Sequence, residues 1–164
     1  MGDLSEFGLA TRVFLKAYPW RRIDPVPWTV PPPARGKPLA GCRLALVSSA
    51  GLRPADDRPF DGRVRGGDVS FRFVPSDRAA ADLVDDHRSQ SFDHAGLAAD
   101  PNLGFPLDRA RELVERGRVG SLAAEHLGLM GSITAPGRLV KETAPAAAAR
   151  LVADAVDIAL LVPV

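Results

Sequence analysis

The chain has 164 residues, enough for one domain with a substantial core. Hydrophobic residues make up 46% and charged residues 25%, an ordinary balance for a globular protein. A net charge of +1 gives no overall electrostatic case for nucleic acid or a membrane surface, and Cys42, the 1 cysteine, excludes an internal disulfide framework and a Cys-based zinc site.

At the N-terminus, Asp3 and Glu6 stand where a signal peptide would be basic and then apolar, and no run reaches membrane-spanning length. The expected location is the cytoplasm. A weakly helical stretch runs from Phe7 to Tyr18. Pro25, Pro27, Pro31, Pro32, Pro33 and Pro38 then exclude helix and favour an extended arm. This arm reads as a stiff linker. Alternatively it is a subunit-contact arm anchored by Trp20 and Trp28, which would imply a homo-oligomer. The domain plan is thus residues 1–38 as N-terminal segment and arm, followed by 39–164.

Cys42 to Ser48 reads as a first strand, with Ser49, Ala50 and Gly51 as a small-residue turn at its carboxyl end. Residues 53–68 read as a surface loop. Ser70 to Val74 alternates as a second strand, and Ser76 is placed to cap a short helix through Leu83 and Val84. From Asp85 to Phe105 there is little periodicity but many polar side chains, and a long polar loop inside a domain is usually functional. Pro106 to Gly117 is the clearest helix, with Leu107, Ala110, Leu113 and Val114 as its apolar stripe. Val119 to Leu127 can open with a short strand, and Gly128 to Gly131 reads as a tight turn. Thr143 is expected to cap a last helix from Ala144 to about Asp154.

The final residues, Asp157 to Val164, are apolar on both faces and read as a buried parallel strand. Chemistry in open parallel sheets sits beyond the carboxyl ends of the strands. Either Val164 closes an unusually placed edge strand, or the polypeptide is expected to continue past it into an active-site loop. The element order predicts an α/β fold: a mostly parallel sheet with helices on both faces, a Pro-rich N-terminal arm, and a C-terminal part lying beyond these residues.

His87, Asp93 and His94 carry the strongest chemical signal. Their spacing lacks the i, i+4 pair of a helical zinc site, and only Asp100 or His126 offers a third ligand, so no metal site is assigned. Two readings stay open for them: side chains pinning an irregular loop, or proton transfer and binding in a cleft. Ser48, Ser49 and Gly51 at a strand end can hold a carboxylate through hydroxyls and backbone N–H groups, or can be simply a turn. No nucleophile elbow, phosphate loop or dinucleotide fingerprint is present. Cys42 opens its strand and reads as a packed thiol. Glu125, Met130 and Glu142 flank the later turns, Met130 as core filler.

Six segments in order carry a family resemblance: Ala45–Gly51, Ser70–Ser76, Asp86–His94, Asp100–Asp108, Gly128–Gly131 and Glu142–Pro145. Over about residues 27–164 the chain resembles the glycine/sarcosine/betaine reductase selenoprotein B and D-proline reductase family, above all its selenocysteine-bearing D-proline reductase members. The resemblance implies reductive cleavage of a C–N bond in a small amino-acid-like substrate, a partner subunit bearing a pyruvoyl group, and an external dithiol or thioredoxin-type reductant. It implies that selenocysteine, or cysteine, follows Val164, so that the 164 residues alone would not turn over; the codon after 164 decides this. It assigns His87, Asp93 and His94 to catalysis and Ser49, Gly51, Asp100, Asn102 and Met130 to the substrate pocket. The Arg-rich loop around Arg63 and Arg65 departs from the family pattern. The alternative is a non-catalytic α/β domain that binds a small ligand or a partner.

Overall fold

A computed structural model describes residues 8–17, 37–89 and 92–164. The chain divides into two units, Met1–Arg35 and Gly36–Val164. The first contains helix α1, Leu9–Ala17, on which Leu9 and Val13 are exposed. The proline-rich arm with Trp20 and Trp28 lies outside the described residues.

The second unit is built on β1, Arg43–Ser48, whose residues are buried or half-buried throughout. An apolar run without alternation suits a strand covered on both faces. On one side β1 pairs in parallel with β5, Ser121–Leu122, and then with β6, Glu125–Leu129. On the other it pairs in parallel with β7, Ile158–Val162, from Leu44↔Ile158 to Ser48↔Val162. Strand β3, Phe71–Pro75, adds an antiparallel edge against β6. The result is a mixed, mostly parallel five-stranded sheet.

Leu44, Leu46 and Val74 lie in one core cluster with Leu97, Phe105, Leu107 and Ala110. These last residues come from α2, His94–Ala99, from the connection after it, and from α3, Leu107–Glu115. The opposite face carries Leu127, in register with Val47 and Phe73, and is approached by α4, Ala144–Ala153. Helices therefore lie on both faces, as the element order predicts.

Several local expectations are revised. Leu83 and Val84 are not helical: Leu83–Asp85 is β4, antiparallel to β2, Leu52–Pro54. The ladder with Arg53 and Pro54 satisfies backbone that a short helix would have satisfied internally. Ser76 caps nothing; its hydroxyl donates to the Ala123 carbonyl at 2.5 Å and lies 2.9 Å from His126 Nε2. Residues 53–68 are more than a surface loop. Arg53, 7% exposed, bonds Asp86 and the carbonyls of Pro54, Ala55 and Asp57, while Arg72, 2% exposed, bonds those of Arg58, Pro59 and Phe71. Two buried guanidinium groups thus staple the segment from inside. Gly128 and Leu129 extend β6 instead of turning. Thr143 makes no cap and closes a π-helical turn, Leu139–Thr143, that runs into α4.

The largest revision concerns β7. It is parallel, as expected, but it sits at the sheet edge, with Leu160 44% and Leu161 67% exposed. Residues in register across a parallel pair share a face, so Leu160 follows Leu46 and Leu161 follows Val47. Ile158 packs against the core, but Leu160 and Leu161 leave the rest of this edge open on both faces. Among the described residues no helix is long and apolar enough to cross a membrane.

Candidate functional site

Strand β1 delivers Ser48 to Gly51 to the end of the sheet where α/β proteins keep their chemistry. Ser48 is 1% exposed and faces inward; its hydroxyl donates to the Gly104 carbonyl and accepts from Ala50 N–H. Ser49 faces the other way. Its N–H donates to the Val162 carbonyl, and its Oγ accepts from Val164 N–H at 3.0 Å. Gly51 has φ +70, and a Cβ there would stand 2.9 Å from the His87 backbone nitrogen. Both facts require glycine. Its carbonyl accepts from Asp86 N–H, so the turn after β1 anchors the polar segment that follows β4.

That segment holds the histidines. His87 is 8% exposed. Its N–H donates to Asp85 Oδ1 at 2.7 Å, its ring stacks on Phe92 at 4.1 Å, and its Nδ1 accepts from Ser89 N–H. Among the described residues its Nε2 has no hydrogen-bond partner. Burial holds this imidazole below its ordinary pKa, partly opposed by Asp85. His94 lies 6.4 Å away between ring centres. Its Nδ1 meets Asp85 Oδ2 at 2.5 Å and its Nε2 meets the Ser89 carbonyl at 3.0 Å. Both partners are acceptors, an arrangement that favours the doubly protonated ring. The hydrogen bond to Asp85, then that to Ser89, raises its pKa.

Asp85 is the residue that sequence reading missed. One carboxylate oxygen holds the His87 backbone and the other holds the His94 ring. The available signal was an acidic residue ending β4, two positions before a histidine.

The other expected site residues are occupied locally. Asp93 caps α2 by accepting from Gly96 N–H at 2.8 Å. Asp100 accepts from both nitrogens of Asn102, whose side chain also bonds the backbone and carboxylate of Asp108. This staple joins the 3-10 turn Pro101–Leu103 to the start of α3. Met130 is 2% exposed and pairs by backbone with Ala50, directly behind the site. The structure thus gathers Ser49, Gly51, His87, His94 and Met130 around one strand end, and Asp100 and Asn102 form a separate cluster.

A cavity of about 180 Å3 lies beside this strand end, lined by Phe92, Asp93, Leu97, Leu103, Gly104 and Val164. A larger one, about 350 Å3, lies under α4 among Phe73, Glu125, Leu127, Arg150 and Leu151. It contains no histidine; Glu125 and Arg150 are paired with each other at 2.8 Å, and Asp154 accepts from Ala124 N–H. The smaller cavity is the one that adjoins the strand end carrying Ser49, with Val164 and the His87 stacking partner Phe92 in its lining. Glu142 is paired with Arg138, and Cys42 is buried, its Sγ 3.4 Å from the Pro38 carbonyl. Among the described residues, no group of three or more His, Cys, Asp or Glu is placed to hold a metal ion.

No protein-family model matches the chain, and no solved structure matches it. The chain is 34% identical to D-proline reductase subunit gamma of Acetoanaerobium sticklandii over 162 residues, 98% of this chain and 61% of that protein. It is 32% identical to sarcosine reductase complex component B subunit beta of Peptoclostridium acidaminophilum over 111 residues, 66% of this chain and 25% of that protein. The chain therefore spans less than two thirds of the length of each relative. On a likeness that takes in nearly all of its residues, it belongs to the family of the D-proline and sarcosine reductase subunits.

Proposed function

We propose that the chain forms part of a reductase subunit that cleaves a C–N bond in an amino-acid-derived substrate, and that it supplies the wall of the substrate site. The observation that carries this reading is the convergence of Ser49, Gly51, His87 and His94 at the carboxyl end of β1, beside the cavity lined by Phe92 and Val164.

The reaction needs two electrons. A selenolate or thiolate attacks the carbon bonded to nitrogen, and the C–N electron pair leaves with the amine, which takes a proton. A second thiolate attacks the bound selenium or sulfur, and the carbon leaves with that bond's electron pair and takes a proton. The Se–S or S–S bridge that remains is reduced by an external dithiol. A pyruvoyl group on a partner subunit would supply activation of the substrate nitrogen. Selenolate is favoured because a selenol ionises below the thiol value of about 8.5. Cys42 is the only cysteine of these residues and is buried at the amino end of β1, so the redox pair is not among them.

The residues present have definable tasks. His94, held charged by Asp85, is the proton source for the leaving amine, its Nε2–H exchanging the Ser89 carbonyl for the substrate nitrogen. Gly51 and Ser49 shape the end of β1 against the substrate. Asp93, Asp100 and Asn102 hold the surrounding loop, and Met130 backs it. The expected setting is a cytoplasmic complex with a partner subunit.

The test is to purify the whole polypeptide with its companion subunits and follow dithiol oxidation with D-proline, glycine, sarcosine and betaine. Substrate-dependent oxidation that falls at least tenfold in His94→Gln is expected. Oxidation with none of the substrates overturns the reading. The exposed apolar edge of β7 favours a second reading, a non-catalytic domain that binds a partner or small ligand. Calorimetric binding without turnover in the same complex would establish it.

A further inference from the structure

Helix α4 covers its side of the sheet only thinly. The π-helical turn Leu139–Thr143 runs straight into it, and of the residues from 139 to 153 only Ala147 is buried. A helix seated on a sheet normally buries a stripe of several apolar side chains. Here Phe71 and Phe73, on one face of β3, stay half-buried, their rings edge to face with centres 5.3 Å apart.

Three cavities follow one side of the helix. Arg138, Glu142, Ala146 and Arg150 stand at i, i+4 spacing and line them in turn. The first, about 280 Å3, lies between Arg138 and the segment bearing Val64, Arg65 and Val69. The second, about 400 Å3, lies between Glu142 with Ala146 and Arg58, Phe71 and Phe73. The third is the cavity under α4 described above, which shares Phe73 with the second. The Arg138–Glu142 pair joins the first to the second. Together they form one trench between the helix and β3, the antiparallel edge of the sheet. It begins at the loop leaving β6, where the Thr134 and Ala135 N–H groups donate to the Gly66 carbonyl.

The floor is apolar and the unpaired charge on the rim is positive. Arg138 and Arg150 are matched by Glu142 and Glu125, and the Arg150 guanidinium lies 5.1 Å from the centre of the Phe73 ring. Among the described residues the exposed side chains of Arg58 and Arg65 have no hydrogen-bond or ion-pair partner. The carboxylates nearest them in the chain are engaged: Asp57 with Arg58 N–H, Asp61 with Arg63 N–H, and Asp68 with Ser70 and the buried Arg72. A complementary occupant presents apolar side chains to Phe71 and Phe73 and carboxylates to Arg58 and Arg65. Those two arginines line different cavities, so the carboxylates must be spaced along a chain; a single compact anion would meet only one of them.

We propose that this trench is a docking surface for an acidic amphipathic segment of a partner protein, whose apolar face enters between α4 and β3. The proposal is independent of C–N cleavage.

The test is fluorescence anisotropy of the purified chain with a fluorescein-labelled peptide of glutamates bearing leucines at i, i+4 spacing. Submillimolar binding in low salt is expected, weakened at least fivefold by Arg58→Glu with Arg65→Glu, whose side chains make no bonds that folding would miss. Replacing the leucines of the peptide by alanine should weaken it as much. Ala146→Arg adds positive charge but fills the trench, so binding should weaken where charge attraction alone would strengthen it. Arg116→Glu with Arg118→Glu, at the end of α3 on the opposite face of the sheet, should leave binding unchanged. No submillimolar binding, equal binding of the alanine peptide, tighter binding by Ala146→Arg, or an equal loss in the α3 pair overturns the proposal. A single-stranded oligonucleotide that binds as tightly and with the same dependence on Arg58 and Arg65 overturns the assignment of a protein partner.

Discussion

His126 makes the stability of this fold depend on pH in a way that can be worked through. The side chain is 0% exposed on β6. Its Nδ1 accepts from Leu46 N–H at 3.1 Å. The Ser76 hydroxyl spends its proton on the Ala123 carbonyl, so it must accept from His126 Nε2–H. The ring is thereby fixed as one neutral tautomer. Protonating Nδ1 would set two N–H donors against each other. Burial first, then the Arg111 charge, pushes the pKa from 6.5 to about 4, against a smaller opposing effect of Asp154. A histidine whose folded pKa is depressed contributes stability that is complete above the unfolded value and is lost as pH falls through the folded one. Taking those two values, about 2 kcal/mol is lost between pH 7.5 and pH 5, and about 3 kcal/mol by pH 4. Urea unfolding at pH 7.5, 6 and 5 measures this in wild type and in His126→Asn, whose Oδ1 can still accept from Leu46 N–H. The variant keeps His87, His94 and every carboxylate, so the difference between the two pH profiles isolates His126. Equal pH dependence in the two proteins refutes the assignment. Should the variant not fold, NMR titration of wild type decides, because a His126 ring that protonates near 6.5 in the folded protein refutes it equally.

Other perturbations test the remaining geometry. Asp85→Asn removes the first cause of the raised His94 pKa, so the His94 midpoint should fall when followed by NMR; an unchanged midpoint would show that Ser89 alone holds the proton. Gly51→Ala forces a side chain into φ +70 and toward the His87 backbone, and should cost about 2 kcal/mol in chemical denaturation. Loss under a few tenths would mean that the turn is not as close as described. Arg72→Leu leaves the carbonyls of Arg58, Pro59 and Phe71 without their buried donor and should cost about 3 kcal/mol by the same assay.

The sequence disclosed the parts of this fold that rest on periodicity. The helix after Pro106 and the strand before Ser49 appear within two residues of the expected bounds, because an apolar stripe and an uninterrupted apolar run report directly on burial. The strand at Leu83 was not legible. It has three residues, and it exists because Arg53 and Pro54 lie opposite it, a long-range pairing with no local signature. The buried arginines were illegible for a similar reason: charge predicts the surface unless carbonyls converge on it, and convergence is a property of the fold. In the site, position was readable and engagement was not. His87, His94, Ser49 and Gly51 do meet at one strand end. That Asp93 serves as a helix cap and Asn102 as a staple follows from partners within a few residues, which spacing permits without requiring.

β7 shows how a residue pattern and an observed environment can both be informative when they disagree. Ile158, Leu160 and Leu161 have the apolarity of a strand covered on both faces, yet Leu161 is 67% exposed at an edge with no described neighbour. An apolar edge strand left open pairs with other chains, and isolated domains avoid it with charges, prolines or bulges. Here the strand carries no charge between Ile158 and Val162. Val152, on the helix leading into it, is 76% exposed as well. Exposed apolar surface of this kind is what pairs with other chains. Ser49 bonds the backbone at Val162 and Val164, and Val164 lines the cavity beside the histidines. The β7 edge and the cavity beside the histidines are thus joined through the same strand end. A contact that shifts Val164 should change the reactivity of His87 as well as the stability of the edge.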